Sequence, residues 1–262
     1  MDAAARAALL QSLTAISVRA AIAIRGAAGQ DGVRRKADGS PITAADVAAE
    51  SAIRDGLSAL SPALPIISEE EAEHPQPLSG SSYFLVDPLD GTREFIAGRD
   101  EYAVNIALMI NGAPLVGVIA APALGVIWRG SVGQGAERLA FAAEGEISPP
   151  SPIRARQWRP REPVVLVSRS HLDARTQAYL SRLPQPTTIP CGSAVKFCRI
   201  AEGSADIYPR LAPTHDWDVA AGQAIIEAAG GHVLAPDGTP IRYGSPELLI
   251  PGFIATGVAD SP

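Results

Sequence analysis

The chain has 262 residues, of which 47% are hydrophobic and 19% are charged, and its formal net charge is −6. This balance is typical of a globular protein with a sizeable core, and it excludes an intrinsically disordered chain. A mildly acidic protein also lacks the strongly basic face that binds a nucleic acid polymer. The charge of a small anionic substrate would therefore have to be met locally, by a metal or by a few cationic side chains.

The first sixty residues predict two helices separated by a loop. Residues 3–25 are rich in Ala, Leu and Ile, and this run ends near Gly26. The second helix is predicted to begin at Thr43, which is a good N-cap residue, and to end near Leu60.

Short apolar runs follow, and most of them have the length of buried strands. An Asn111-Gly112 turn between two of these runs predicts a β-hairpin. The predicted strands are 66–68, 83–86, 102–110, 114–121, 124–129, 164–167 and 205–208, and the later predicted helices are 173–182, 193–202 and 217–229.

Antiparallel strands that come after two helices, and then strands that alternate with helices, predict an α+β fold. We predict an N-terminal half, 1–145, and a C-terminal half, 146–262. Segment 144–163 is rich in proline and arginine, so it is predicted to be a surface connection whose arginines are solvent-exposed.

The cysteines and the N terminus predict a cytoplasmic protein. Cys191 and Cys198 lack metal-ligand spacing, which favours buried, reduced thiols. The N terminus shows no signal-peptide pattern. The most apolar stretch, 102–127, is interrupted by Asn, Gly and Pro, so no transmembrane segment is predicted.

The segment Asp87-Pro88-Leu89-Asp90-Gly91-Thr92 carries the clearest chemical information. Two carboxylates and a carbonyl oxygen at the end of a strand form an oxygen-only cluster, which suits Mg²⁺. Gly91 and Thr92 open a short predicted helix whose N-terminal amides could bind a phosphate. The alternative is a simple turn in which the aspartates only accept backbone hydrogen bonds.

This segment resembles the D-P-x-D-G-T signature of the inositol-monophosphatase-like, lithium-sensitive phosphatases. Ile67-Ser68-Glu69-Glu70 and the segment 217–222 (W-D-V-A-A-G) match the upstream acidic element and the downstream W-D-x-A-A-G element of that family. All three lie in the family's order, so the resemblance covers nearly the whole chain. It implies a layered α/β/α/β/α sandwich and two or three Mg²⁺ ions.

The resemblance also implies a set of metal ligands. One Mg²⁺ would be held by Glu69, Asp87 and the Leu89 carbonyl, and a second by Asp87, Asp90 and Asp218. Four carboxylates that converge without a cation would repel one another and their pKa values would rise, which agrees with this grouping. Glu69 is preferred as the ligand over its neighbours at 70 and 71.

Asp46 has two possible roles. From the residues alone, Thr43-Ala44-Ala45-Asp46 is the capping-box-like start of a helix. The resemblance implies that Asp46 partners Thr92 to orient the attacking water and reaches a third Mg²⁺. Glu69, Thr92 and Asp46 are therefore the predicted catalytic residues.

Within the family, the chain is most similar to the bacterial 3′(2′),5′-bisphosphate nucleotidases, through segments 96–108, 167–171, 192–198, 201–203 and 207–210. This similarity implies Mg²⁺-dependent hydrolysis of the 3′-phosphate of adenosine 3′,5′-bisphosphate, which gives AMP and phosphate and supports sulfur assimilation. The implied substrate contacts are Gly91, Thr92, His171, Ser193, Lys196, Arg210 and Asp218.

Several alternatives stay open at this point. The same metal chemistry would serve an inositol monophosphatase or a fructose 1,6-bisphosphatase, and a nucleotide-binding sensor without turnover belongs to another class. Relatives found at the cytoplasmic face of the inner membrane leave a peripheral location open, although the chain has no basic amphipathic anchor. The sequence does not separate a monomer from a homodimer.

Overall fold

The computed structural model describes residues 1–29, 32–36, 38–60, 64–71, 82–158, 161–170 and 172–258. Its helices are α1 Ala3–Ala27, α2 Ala44–Leu60, α3 Thr92–Ile96, α4 Ala174–Leu180, α5 Val195–Ala201 and α6 Asp216–Ala228, with a 3-10 turn at Glu69–Glu71. Its strands are β1 Arg34–Arg35, β2 Pro41–Ile42, β3 Ile66–Ser68, β4 Ser82–Asp90, β5 Ala103–Ile110, β6 Ala113–Ala121, β7 Val126–Ser131, β8 Gly135–Ala140, β9 Ser151–Ile153, β10 Val164–Ser168, β11 Thr187–Cys191, β12 Ile207–Arg210, β13 Thr214–His215, β14 His232–Leu234, β15 Leu249–Ile250 and β16 Phe253–Thr256.

The larger sheet has the order β3-β4-β5-β6-β7-β8-β9 and is antiparallel except for the parallel pair β3–β4. Because side chains alternate along a strand, β5 serves two cores. Val104, Ile106 and Leu108 pack with α1 and α2, whereas Ala107 and Met109 pack with α6 on the opposite face. The sheet is therefore covered by helices on both sides.

Helix α6 lies very close to this sheet because glycines face it. A Cβ atom at Gly117 would come within 2.4 Å of the Ala221 carbonyl oxygen, and one at Gly130 within 2.8 Å of the Ala228 Cβ atom. The close approach fixes the position of the first turn of α6, which carries Asp218.

The second sheet has the order β11-β10-β12-β16-β14. Tyr208 and Phe253 on this sheet pack against Phe197 of α5, within the core that also contains α6. Val165 and Val167 face the other way and pack with Tyr179 of α4. The layers are thus α1–α2, sheet, α5–α6, sheet and α4, which confirms the predicted α+β sandwich.

Helix α1 is long and apolar enough to cross a membrane by length and composition, with a mean hydropathy of 1.6. In the fold, its residues Leu13, Ile16 and Ile24 are fully or almost fully buried in the core that includes α2. Gly56 of α2 permits this packing, because a Cβ atom there would lie 2.6 Å from Ile16 Cγ1. Within the protein, the apolar character of α1 is therefore that of a core helix.

The predicted helices are confirmed within a few residues, and Thr43 caps α2 by accepting a hydrogen bond from the Ala45 amide at 3.2 Å. The prediction that the arginines of 144–163 are solvent-exposed is wrong for Arg156. Its guanidinium donates to both carboxylate oxygens of Asp206, at 2.7 and 2.5 Å, and Asp206 is fully buried. A buried carboxylate needs a partner, and the sequence pattern did not reveal which cation supplies it.

Candidate active site

The segment 87–92 leaves the sheet as β4 ends. Its pairing with β5 shifts register between Asp87 and Asp90, and such an irregularity changes the direction in which side chains point. The Asp87 carboxylate accepts the Leu89 amide at 3.0 Å, and Asp87 is 1% exposed. Gly91 follows in the left-handed region, with φ of 93°, and a Cβ atom there would lie 3.3 Å from the Ser193 Cβ atom. This turn therefore requires glycine.

Three carboxylates converge beside this turn. Glu69, Asp87 and Asp218 each place an oxygen within 4.8 Å of the others. Glu69 comes from the 3-10 turn after β3, Asp87 from β4 and Asp218 from the first turn of α6. Asp218 is oriented by hydrogen bonds from the Thr214 hydroxyl and, at 3.2 Å, from the His215 amide.

Burial and mutual repulsion perturb these carboxyl groups. Burial raises the pKa of Asp87 well above its usual range, and Glu69 and Asp90 add to the effect. Burial, followed by repulsion from Asp218, raises the pKa of Glu69 to about 7 against the opposing attraction of Lys36. An all-oxygen cluster with this much uncompensated negative charge fits hard divalent cations.

Asp90 lies slightly apart from the group of three. Its Oδ2 atom accepts the Ala194 amide at 2.5 Å and the Asn105 side-chain amide at 3.4 Å. Burial and repulsion from Asp218 raise its pKa to about 7, and Lys196 opposes the shift. Asp90 thus lies between the carboxylate cluster and the turn that precedes α5.

Asp46 and Thr92 are joined directly. The Thr92 hydroxyl lies 3.0 Å from Asp46 Oδ1 and 3.1 Å from the Leu89 carbonyl oxygen. Asp46 Oδ2 also accepts the Thr43 amide at 2.7 Å and the Thr43 hydroxyl at 2.6 Å. Asp46 therefore makes both the capping contact and the contact with Thr92, which are the two roles considered for it from the sequence.

A cavity of about 250 Å³ joins the carboxylates to residues of α5, β12 and the turn before α5. Its walls include Glu69, Asp87, Leu89, Asp90, Gly91, Thr92, Ser193, Lys196, Arg210 and Asp218. The structure thus brings together all the predicted metal ligands and the predicted substrate contacts, apart from His171, which lies outside the described residues.

Lys196 and Arg210, two of the cationic residues that line this cavity, differ in how they are used. Lys196 is 3% exposed, and its ammonium donates to the carbonyl oxygens of Cys191 and Ser193 at 3.2 and 2.6 Å. It also lies 5.0 Å from the ring centroid of Tyr208. The Arg210 Nε atom is buried, and among the described residues it has no hydrogen-bond partner. Of these two residues, Arg210 is the one with a buried side-chain donor, Nε, that no described residue accepts.

Lys36 belongs to the site, although it was not among the predicted residues. Its ammonium lies 2.6 Å from Glu69 Oε1 and 2.8 Å from Glu70 Oε1. It is carried by the short β1–β2 hairpin, 33 residues before Glu69 in the chain. No local sequence pattern indicates such a long-range ion pair.

Comparison with known proteins gives this arrangement a family. Residues 3–260 match the model of the inositol monophosphatase family. The chain belongs to the inositol monophosphatase family. The resemblance and the layered fold inferred from the sequence are thereby confirmed.

Within the inositol monophosphatase family, the chain is 44% identical over 225 residues to the 3′(2′),5′-bisphosphate nucleotidase CysQ of Escherichia coli K12, covering 83% of this chain and 86% of that protein. CysQ of Bacteroides thetaiotaomicron has a similar crystal structure, with a TM-score of 0.77, 33% identity, and coverage of 94% of this chain and 97% of that chain. The inositol monophosphatase of Anabaena has a TM-score of 0.74 and 26% identity, covering 97% of this chain and 92% of that chain.

Proposed function

We propose that this protein is a Mg²⁺-dependent 3′(2′),5′-bisphosphate nucleotidase that removes the 3′-phosphate of adenosine 3′,5′-bisphosphate. The observation that carries the proposal is the continuous cavity that joins the carboxylate cluster to Arg210. The 44% identity to a nucleotidase of this specificity supports the same reaction.

The cavity suits a substrate with two separate phosphates. The carboxylate end would bind the reacting phosphate through two or three Mg²⁺ ions held by Glu69, Asp87, Asp90, Asp218 and the Leu89 carbonyl. Arg210 lines the same cavity, its Nε donor matches an oxygen of the second phosphate, and arginine is suited to bidentate phosphate binding. A sugar monophosphate would leave this second cation unused.

The reaction that fits these residues is direct hydrolysis of the phosphate ester by water. When bound, Mg²⁺ would supply charge neutralisation and make the water more acidic. The Thr92 hydroxyl has one hydrogen, and Asp46 or the Leu89 carbonyl accepts it. Thr92 can therefore only accept from a water molecule, and this fixes the orientation of the water.

Glu69 is the proposed proton acceptor for that water. It lines the cavity beside Asp87 and Asp218, and a base works best when its pKa lies near the working pH. Lys196 is proposed to act mainly through the turn 191–193, because its ammonium already donates to two carbonyl oxygens there. Ser193, with φ of 46°, and Gly91 shape the wall against which the sugar would lie.

We also propose a cytoplasmic enzyme whose reaction supports sulfur assimilation. Its two free cysteines, Cys191 and Cys198, are buried, and burial raises the pKa of both thiols. Such thiols are poor nucleophiles, which is consistent with hydrolysis that needs no covalent intermediate.

The test is phosphate release from adenosine 3′,5′-bisphosphate, inositol 1-phosphate and fructose 1,6-bisphosphate by the purified full chain. Each substrate is assayed with Mg²⁺, with EDTA, and with two variants. Asp87→Asn removes a carboxylate from the cluster, whereas the matched control Asp55→Asn changes an exposed carboxylate of α2. We expect turnover of the nucleotide alone. EDTA and Asp87→Asn should abolish this turnover, whereas Asp55→Asn should leave it unchanged.

Other results would change the proposal in defined ways. Faster release from inositol 1-phosphate would retain the metal site and refute the proposed role of Arg210. Nucleotide binding without release from any ester would favour the sensor.

A further inference from the structure

Glu101 connects segments from both sheets beside the cavity. Its Oε2 atom accepts hydrogen bonds from the Arg169 guanidinium at 2.6 Å and from the Gly192 amide at 2.8 Å. Glu101 lies between α3 and β5, whereas Arg169 follows β10 and Gly192 follows β11. One carboxylate therefore joins the segment that begins with Thr92 to two segments of the second sheet.

The backbone of Glu101 lies between two turns that line the cavity. A Cβ atom at Gly91 would lie 3.2 Å from the Glu101 carbonyl oxygen, and one at Gly192 would lie 2.7 Å from the same oxygen. The two glycines leave room for this carbonyl group. Gly91 belongs to the segment 87–92 and Gly192 to the turn 192–194, so the position of Glu101 sets the distance between these two parts of the cavity wall.

The turn 192–194, between β11 and α5, depends on contacts at both of its ends. All three of its residues line the cavity. Ser193 has a φ of 46°, which is unfavourable for a residue other than glycine and persists only where the surroundings hold it. The Ala194 amide donates to Asp90 Oδ2 at 2.5 Å, and the Gly192 amide donates to Glu101. Asp90 and Glu101 thus hold opposite ends of the turn.

Arg169 extends the same connection. It lies between Ser168 and Ser170, which both line the cavity, and its guanidinium also donates to the Pro190 carbonyl oxygen at 3.1 Å. The Ser170 hydroxyl donates to Glu94 Oε1 at 2.7 Å, and Glu94 is a buried residue of α3. The cavity wall after β10 is therefore tied to α3 and to the segment that follows it.

We propose that Glu101 is a positioning residue for the nucleotide: together with Arg169, it holds the turn 192–194 at the distance from segment 87–92 that the nucleotide requires. The effect on the nucleotide rests on the proposed function, whereas the effect on the turn does not. Glu101 acts through the turn and not through contact with the reacting phosphate. Its loss should therefore weaken nucleotide binding and spare the chemical step.

The first experiment measures kcat and KM for adenosine 3′,5′-bisphosphate with the full chain and Mg²⁺. Glu101→Ala removes both contacts, and KM should rise about tenfold while kcat stays within about threefold, because a charge-assisted hydrogen bond that orders the binding wall is lost. Both contacts go to one oxygen, so Glu101→Gln can still accept them and should keep KM within about threefold of wild type. Asp100→Ala removes an exposed carboxylate from the neighbouring position and is the matched control, with unchanged KM.

The second experiment needs no substrate. Hydrogen exchange is measured by mass spectrometry on peptides that cover 192–194 and α6. In Glu101→Ala, the peptide with 192–194 should exchange about tenfold faster than in wild type, because the Gly192 amide loses its acceptor. The α6 peptide should exchange at the wild-type rate, and Asp100→Ala should leave both peptides unchanged.

The outcomes separate this inference from the proposed function. Unchanged exchange at 192–194 in Glu101→Ala, or equally faster exchange in α6, would overturn the local role of Glu101. A Glu101→Ala variant with normal KM, or one that loses kcat at constant KM, would overturn its role in nucleotide binding. A wild-type protein that does not hydrolyse the nucleotide would refute the proposed substrate and this nucleotide role together, and the exchange data would still decide whether Glu101 holds the turn.

Discussion

Substitution of Asp46 by asparagine tests whether the Asp46–Thr92 contact orients the water. The side-chain oxygen of the asparagine should keep the hydrogen bond from the Thr43 amide, because an N–H group can only donate. The amino group of the asparagine then faces the Thr92 hydroxyl. Thr92 would have to accept from that amino group and turn its own hydrogen to the Leu89 carbonyl oxygen. One of the two lone pairs available for the water would be lost.

The expected loss follows from the type of hydrogen bond that is removed. A hydrogen bond to a charged group contributes about 1.5–3 kcal/mol. If it acts only in the transition state, kcat should fall about 10- to 150-fold while KM stays nearly constant. Thr92→Val removes the hydroxyl itself and should cost about 100-fold or more, whereas Thr92→Ser keeps it and should stay within about threefold of wild type.

The assay is phosphate release from adenosine 3′,5′-bisphosphate by the single variants and by the double variant Asp46→Asn, Thr92→Val. If Asp46 acts through Thr92, the double variant should be no slower than Thr92→Val alone. Melting temperature and Mg²⁺ affinity, measured on the same samples, show whether folding or metal binding has changed. Independent, multiplied losses, or a Thr92→Val variant of nearly normal activity, would refute the reasoning.

Three further predictions follow from contacts elsewhere in the structure. Arg210→Met should raise KM for adenosine 3′,5′-bisphosphate about tenfold or more in steady-state assays, because it removes the donor for the second phosphate. KM for inositol 1-phosphate should stay nearly unchanged, and equal effects on both esters would contradict the prediction. Asp206→Asn should lower the free energy of unfolding in urea by about 3 kcal/mol, since it breaks the buried pair with Arg156, and a loss below about 1 kcal/mol would count against that role. Burial raises the pKa of Glu69 and Asp90 to about 7, so these groups bind protons more tightly in the folded state. In EDTA the free energy of unfolding should therefore rise as the pH is lowered from about 8 to about 5, and Mg²⁺ should abolish this rise; a metal-free protein that loses stability over that range would contradict it.

The sequence predicted elements best where the local pattern is strong. The apolar run of α1, the Thr43 cap of α2 and the Asn111-Gly112 turn each depend on neighbouring residues, and the structure contains all three. Among the strands of the described residues, β1, β2, β8, β9, β11, β13, β14, β15 and β16 were not predicted. Strand β11, Thr187–Cys191, is mostly exposed and contains a proline, so its sequence shows no alternation of apolar and polar residues. It is a strand because it pairs with β10.

The acidic residues of the site also show what local sequence patterns leave undecided. From the residues alone, Asp216 and Asp218 are equivalent candidates because both precede the apolar part of one helix, and only the family resemblance selects Asp218. Residues that are two positions apart on a helix point in directions that differ by about 200°, so only one of these two aspartates can face the cavity. Asp218 lines it, whereas Asp216 is fully buried on another side and accepts the Gly244 amide at 2.7 Å.

By itself, the sequence determined the family and the α+β class and predicted a set of site residues, because these depend on residue types at short spacings within three separate segments. Only the tertiary structure decided which groups meet. It placed Asp46 on Thr92, Lys36 on Glu69 and Arg156 on Asp206, pairs that are 46, 33 and 50 residues apart. Such pairs form because the packing of helices and loops on the two sheets buries charges that must then find partners, and no local pattern records that requirement.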